Sequence, residues 1–220
     1  MIHFEDVSKH YENHTALRKV TFSVEKGEMV FITGPSGSGK STLLKLIYMA
    51  EKPDEGSVRV SEWDVDRLRE SRIPELRRQI GVVFQDFRLL KNKNIFENVA
   101  LALRIRRMDE REIKARVFDS LKMVNLRHKT ESYPPTLSGG EQQRIAIARA
   151  IVSEPMIILA DEPTGNVDPD TSAGIMKTFK DINARGATIL IATHNQELFR
   201  NSGKRVFKLD FGNFAGEEIC

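Results

Sequence analysis

The 220-residue sequence predicts an α/β fold: a parallel sheet with crossover helices, an antiparallel β edge, and a helical lobe inserted into the core. Three observations carry that prediction. Short apolar runs of strand length, Met29 to Thr33, Met156 to Ala160 and Thr188 to Thr193, are followed or flanked by segments of helical periodicity, as parallel strands with crossovers are. The first residues instead alternate apolar and polar side chains, the pattern of half-buried strands. Between Gln85 and Glu154 the period changes again, to apolar residues three and four apart with charges between them.

Taken in order, Ile2 to Val7 and Val20 to Val24 read as two strands around a polar turn at Glu12-Asn13-His14, giving the antiparallel edge. Met29 to Thr33 runs directly into Gly34-Pro35-Ser36-Gly37-Ser38-Gly39, and Lys40 to Ala50 then places Leu43, Leu44, Leu46 and Ile47 at helical spacing. Ile80 to Phe84 adds a strand. Ile95, Val99, Ala102 and Leu103, then Ile113, Val117, Leu121 and Val124, mark two helices of the lobe. Ile145, Ala148, Ile151 and Val152 make the buried stripe of a third, which opens just after Leu137. A helical stretch around Ile175 to Ile182 separates the last two apolar strands. The expected organisation is a single domain over 1–220, with an α/β core of 1–85 and 155–220 and a helical lobe of 86–154. The tail from Asn213 to Cys220 gives no readable pattern.

With 40% hydrophobic and 30% charged residues, the composition is that of a globular chain able to bury a core. No apolar run approaches the ~18 to 20 residues of a spanning helix. The first residues, Met1-Ile2-His3-Phe4-Glu5-Asp6, lack the basic and then apolar stretch of a secretory signal, so cytoplasmic residence is expected. Cys220 is the sole cysteine, which excludes an internal disulfide and any Cys-based metal site. A net charge of +3 permits anionic partners and gives no ground for nucleic acid binding. Arg104, Arg106, Arg107, Arg111, Lys114 and Arg116 are interrupted by Asp109, Glu110 and Glu112, which suits a solvated helical hairpin or, alternatively, contact with anionic lipid heads.

Chemistry enters at Gly34-Pro35-Ser36-Gly37-Ser38-Gly39-Lys40-Ser41, which fits the phosphate-loop pattern G-x-x-x-x-G-K-[ST] in the strand-to-helix context that pattern requires. Glycines let successive backbone N–H groups turn inward toward phosphate oxygens, over the positive end of the following helix. Lys40 is placed to reach β and γ phosphates and Ser41, followed by Thr42, to ligate Mg²⁺. Ile157 to Ala160 ends in Asp161-Glu162, so two carboxylates are expected at the carboxyl edge of the sheet, beside the strand of the phosphate loop. There Asp161 would hold hydrated Mg²⁺ and Glu162 polarise a water; without the phosphate loop, such a pair is a common solvated turn. No Asn-Lys-x-Asp base-reading motif is present, which disfavours a GTPase.

Leu137-Ser138-Gly139-Gly140-Glu141-Gln142-Gln143 opens the third lobe helix. With it the sequence resembles the ATP-binding cassette (ABC) ATPases, whose signature is LSGGQ; Glu141 stands in its last position. The resemblance covers Ile2 to about Leu209 and implies a P-loop NTPase core, ATP and Mg²⁺ as cofactors, and hydrolysis of ATP. It also implies a head-to-tail homodimer in which one copy's phosphate loop and the other's Ser138, Gly139, Gly140 and Glu141 enclose each nucleotide. By the same resemblance Tyr11 stacks on adenine, although a surface tyrosine beside a turn is as ordinary a reading. Gln85 would touch Mg²⁺ or water, Gly165-Asn166-Val167-Asp168 the partner subunit, and His194 the γ phosphate. Asn195 departs from the aspartate usual after that histidine, which puts the orientation of His194 in doubt. Asp161-Glu162-Pro163-Thr164-Gly165-Asn166 resembles the branch holding lipoprotein-release, macrolide-export and cell-division ATPases, and Leu76 to Leu90 most resembles the cell-division members. That implies an FtsX-like integral membrane partner, indirect attachment to the inner membrane surface, no nucleic acid, and control of cell-wall hydrolases. The alternative is the energy-coupling subunit of a lipoprotein-release or export transporter. Phe87, Leu89 and Leu90 are expected either to line the partner's groove or to belong to the core.

Overall fold

In the computed structural model, which describes residues 1–220, ten strands and six α-helices form two sheets and a helical lobe. The first sheet is antiparallel, in the order β2 (His14–Val24), β1 (Ile2–Tyr11), β4 (Glu55–Val60), β5 (Trp63–Asp64). The expected edge is therefore a separate four-stranded sheet. Its first two strands continue to the two-residue turn Glu12-Asn13, with Tyr11 paired to His14. Tyr11 thus ends a strand rather than following one.

The second sheet runs β10 (Asn213–Ile219), β9 (Arg205–Asp210), β3 (Met29–Thr33), β8 (Thr188–Ala192), β7 (Ile157–Asp161), β6 (Ile80–Val83). All neighbours are parallel except β10, which closes the edge as an antiparallel hairpin with β9. Two corrections to the expected arrangement follow. The carboxylate-bearing strand β7 is not adjacent to β3, because β8 lies between them. The tail from Asn213, unreadable as sequence, is a strand.

Both faces of the parallel sheet are buried, and successive residues divide between them. Val30, Ile32, Leu159, Leu190 and Phe207 face a core shared with the antiparallel sheet and α1 (Lys40–Ile47). Phe31, Ile158, Ala160, Ile189 and Val206 face a second core shared with the lobe and α6 (Pro169–Ala184). Two buried faces explain why these strands read as continuous apolar runs. Helix α1 stops short of the expected Ala50, because Met49 adopts a left-handed φ of 58° and the Arg77 guanidinium donates to the carbonyls of Tyr48 and Met49. Arg77 itself ends the five-residue α2 (Ile73–Arg77).

The lobe holds α3 (Ile95–Ile105), α4 (Glu110–Met123) and α5 (Gly139–Ile151). Asn94 and Asp109 cap the first two through side-chain oxygens. Ser138 and Glu141 form a reciprocal capping box at the third.

An aromatic chain ties the two sheets together. Phe22 of β2 stacks on Phe4 at 4.6 Å and meets Phe207 of β9 at 4.9 Å, and Phe207 meets Phe214 of β10 at 5.6 Å. Phe207 is fully buried. Phe207→Ala is expected to lower unfolding free energy by about 3–5 kcal/mol in urea titration; a loss below ~1 kcal/mol would show that this contact does not couple the sheets.

Candidate active site

Four parallel strands deliver their following residues to one edge. The registers pair Ile32 of β3 with Ala192 of β8, Ala192 with Asp161 of β7, and Ala160 of β7 with Val83 of β6. The ladder continues past the strands, since the Thr193 N–H donates to the Ile32 carbonyl and the Glu162 N–H to the Ala192 carbonyl. At the usual spacing of adjacent strands, the phosphate loop and Asp161-Glu162 lie roughly 10 Å apart, with Thr193 and His194 between them.

The loop Gly34 to Gly39 joins β3 to α1. Gly34 has a φ of 151°, and a Cβ there would lie 2.1 Å from the Leu209 carbonyl oxygen. Gly39 caps α1 at a φ of 103°, with the Ala16 carbonyl 2.4 Å from where a Cβ would sit. No other residue fits either position. Pro35, Ser36 and Gly37 are exposed, whereas Ser38 is buried with its hydroxyl unpartnered. Lys40, 8% exposed, folds back so that its Nζ donates to the carbonyls of Gly34 at 2.7 Å and Pro35 at 3.0 Å. Its ammonium is thereby fixed over the loop. Ser41 and Thr42 follow on the first turn of α1.

Ser41 lies against Asp161, whose Oδ1 is buried without a hydrogen-bond partner. Burial raises the Asp161 carboxyl above the usual carboxylate range; the Ser41 hydroxyl opposes this, and the neighbouring Glu162 adds to it. A buried carboxylate oxygen lacking a donor, next to a hydroxyl, suits a hard divalent cation that takes oxygen ligands. The residues present therefore fit Mg²⁺.

Glu162 is held on three sides. Its Oε1 accepts the His194 N–H at 3.0 Å and lies 2.8 Å from His194 Nδ1, while Oε2 accepts the Thr193 hydroxyl at 3.1 Å. The glutamate backbone is left-handed, with φ at 45°, a strained conformation of the kind that clusters at active sites. Asn195 does not orient His194: its Oδ1 accepts the Glu197 N–H at 3.0 Å and caps a short 3-10 turn. The departure at that position leaves the histidine placed by Glu162 instead.

Gln85 is exposed, past the end of β6, and its carbonyl accepts the Asn166 side-chain amide at 3.5 Å. The next turn carries left-handed backbone at Phe87 and Arg88. Leu89 consequently packs on the lobe core and Leu90 is 42% exposed. A cavity of about 520 Å³ between the lobe and the core is lined instead by Phe84, Arg88, Leu101 and Ile105, among others, and by none of Phe87, Leu89 and Leu90.

Tyr11 stacks on His14 with centroids 5.5 Å apart, and its hydroxyl is buried without a partner. At the head of α5 the Ser138 hydroxyl accepts the Glu141 N–H, and Glu141 accepts the Ser138 N–H at 2.9 Å. That backbone contact holds the Glu141 carboxyl below its usual range. Gly139 and Gly140 abut Asn166 and Thr171 of the same chain. Asp168 caps α6, accepting the Thr171 N–H at 2.9 Å.

Two contributions escaped the sequence reading. Thr193 fixes Glu162 through a hydroxyl that carries no motif. Gly212, in the β9–β10 turn, donates to the Ser38 carbonyl and accepts the Arg18 N–H, bracing the phosphate loop from a distant part of the chain.

Residues 17–165 match the family described as ABC transporter. The chain is 47% identical over 219 residues to the cell division ATP-binding protein FtsE of Bacillus subtilis, covering 99% of this chain and 96% of that protein. Identity to FtsE of Escherichia coli is 46% over 217 residues, with 98% of each covered. The fold is similar to the dimeric structure of MJ0796, a bacterial ABC transporter cassette, with a TM-score of 0.93 and 39% identity over 100% of this chain and 98% of that one. It is also similar to the dimeric post-hydrolysis state of MJ0796 bound to ADP and Pi, with a TM-score of 0.92, 38% identity and the same coverage.

Because its folded carboxyl is raised, Asp161 contributes stability below its unfolded titration range and loses it as pH rises through the folded one. Asp161→Asn is therefore expected to raise the nucleotide-free melting temperature at neutral pH, with the gap narrowing in acid. An unchanged melting curve at neutral pH would reject a destabilising buried charge.

Proposed function

The chain belongs to the ABC transporter family, and from that premise we propose that it is an ATPase that pairs head to tail with a second copy on binding ATP. In this reading the closed pair drives an FtsX-like integral membrane protein in cell division and so regulates peptidoglycan hydrolases. The observation that carries the catalytic part is Glu162, fixed by Thr193 and His194 at the same sheet edge as Lys40. The identity to FtsE proteins of distant bacteria, over nearly the whole chain, carries the cell-division part. Likeness to a transporter cassette at 39% identity gives the energy-coupling alternative weaker support.

The backbone N–H groups of the Gly34 to Gly39 loop, all but Pro35, which has none, cradle the phosphates with Pro35 shaping the turn and with Ser41 and Thr42, and the Lys40 ammonium faces the β and γ oxygens. Tyr11 packs against the base. Ser41 and Asp161, with Gln85, would hold Mg²⁺, which would supply neutralisation of phosphate charge. Glu162 takes the proton from the attacking water, and His194 holds both that carboxylate and the γ phosphate. Ser138, Gly139, Gly140 and Glu141 present a helix start to the nucleotide of the second copy, and Asp168 stands at the same junction. Residues 1–85 and 155–220 act as the nucleotide-holding core and 86–154 as the lobe that carries this helix start. No helix is long and apolar enough to cross a membrane; the proposed location is the cytoplasmic face of the inner membrane, through the partner.

Glu162→Gln is expected to keep ATP binding, lower turnover by about 10²-fold or more, and accumulate dimer in sedimentation velocity with ATP. Normal turnover would move the catalytic role to another group. Ser138→Arg is expected to leave ATP binding by the single chain nearly intact while preventing that dimer. Loss of binding by the single chain would contradict a site shared between two copies.

A further inference from the structure

Helix α5 carries a buried amide that makes no hydrogen bond. Gln143 is 1% exposed, and both its Oε1 and its Nε2 are buried without a partner. Among the side chains with such an atom, it alone has both a donor and an acceptor in that condition. Three of the others, Tyr11, Ser38 and Asp161, stand at the nucleotide site. Gln143 lies outside that site, and no step of the proposed hydrolysis uses it. Its neighbour Gln142 shows the contrast, since the Gln142 Nε2 donates to the Leu137 carbonyl at 3.1 Å. Buried polar groups are almost always paired, and one left unpaired lowers stability.

Helical spacing says what lies beside this amide. Gln143 falls on the face of α5 between Gly139 and Gly140, one turn further along. Long side chains on a helix lean back toward its amino terminus, so the Gln143 amide extends toward those two glycines. The same face meets the segment that follows Glu162. The Asn166 carbonyl oxygen is 3.5 Å from where a Cβ on Gly139 would sit, and the Thr171 side chain 2.7 Å from one on Gly140. Bare glycines therefore let the 165–168 loop and the head of α6 approach α5 where the amide is aimed. The loop itself is lightly held. The Asn166 side chain donates to the Gln85 carbonyl at 3.5 Å, and neither Asn166 nor Val167 makes a backbone–backbone hydrogen bond.

We infer that Gln143 is a positioning residue of the shared site, whose amide binds the backbone of the 165–168 loop when ATP brings two copies together. The inference rests on the proposed head-to-tail pairing and specifies how the loop is held in it. A primary amide offers both an acceptor and a donor, the complement of an unpaired stretch of backbone. Its Nε2 donates to the Asn166 carbonyl, and its Oε1 accepts a backbone N–H of the same loop. One side chain then joins two parts of the site. The head of α5 presents Ser138 to the nucleotide of the second copy, while the loop leads away from the Glu162 that serves the first. In the single chain these bonds are unmade, so they favour the closed pair without tightening the open chain.

The test is Gln143→Leu in the full chain, a change close in volume that removes both polar atoms. Without nucleotide it deletes an unpaired buried amide, so the melting temperature is expected to rise by about 2–4 °C. ATP affinity of the single chain is expected to stay the same. In the Glu162→Gln background with ATP, the dimer is expected to be at least about tenfold weaker by analytical ultracentrifugation. Gln143→Met, unbranched, repeats every measurement in case leucine crowds its neighbours. An unchanged or lowered melting temperature in both variants means that the amide is already bonded in the free chain, and overturns the inference. So does a dimer as tight as with Gln143 in place. Lost ATP binding by the single chain also overturns it, because Gln143 would then belong to the nucleotide site. If the Glu162→Gln chain with Gln143 intact fails to dimerise on ATP, the head-to-tail reading falls, and the inference with it.

Discussion

The site depends on the common level at which β3, β8, β7 and β6 end. Two backbone hydrogen bonds beyond the strands, Thr193 to Ile32 and Glu162 to Ala192, extend that alignment into the loops. They fix the separation of the phosphate loop from the carboxylates in steps of one strand. Placing β8 between β3 and β7 sets Thr193 and His194 between Lys40 and Glu162. Had β7 been the neighbour of β3, Glu162 would have been about one strand spacing nearer the lysine, with no hydroxyl and imidazole to hold it.

The two cores give this edge a rigid and a more adjustable side. Toward the antiparallel sheet, the chain of Phe4, Phe22, Phe207 and Phe214 locks β1 and β2 to β9 and β10, and β9 is the neighbour of the strand that carries the phosphate loop. Toward the lobe, α5 packs on the sheet yet also reaches the loop after Gln85 through the hydrogen bonds of one side chain, Arg149. A hydrogen-bonded guanidinium shifts more readily than interlocked aromatic rings. The lobe is therefore joined to the loop after Gln85 by a hydrogen-bonded side chain, and the phosphate loop's neighbours to the antiparallel sheet by packed rings.

Much of this was legible in the sequence. The buried parallel strands announced themselves as continuous apolar runs because both of their faces are covered, and the phosphate loop because its glycines must meet the Leu209 and Ala16 carbonyls so closely. Asp161, Glu162 and His194 could be found because each stands at or just past the end of such a strand. Strand order could not be read, since nothing local in β8 says that it inserts between β3 and β7. Helix α1 ended early because of a left-handed residue and an arginine from another element. The tail from Asn213 is mostly exposed, so its composition carries no core signal. That Asn195 caps a short turn was not legible, because capping and orienting a neighbour use the same side-chain oxygen.

The Gly212 contact ties the phosphate loop to the β9–β10 hairpin, more than 170 positions downstream of Ser38. A chain made from its amino terminus forms the loop's residues early and its brace much later. Until β9 and the turn at Gly212 have left the ribosome, the loop lacks both the Leu209 carbonyl at its entrance and the hydrogen bond to Ser38. The loop's final shape therefore depends on residues far downstream of it.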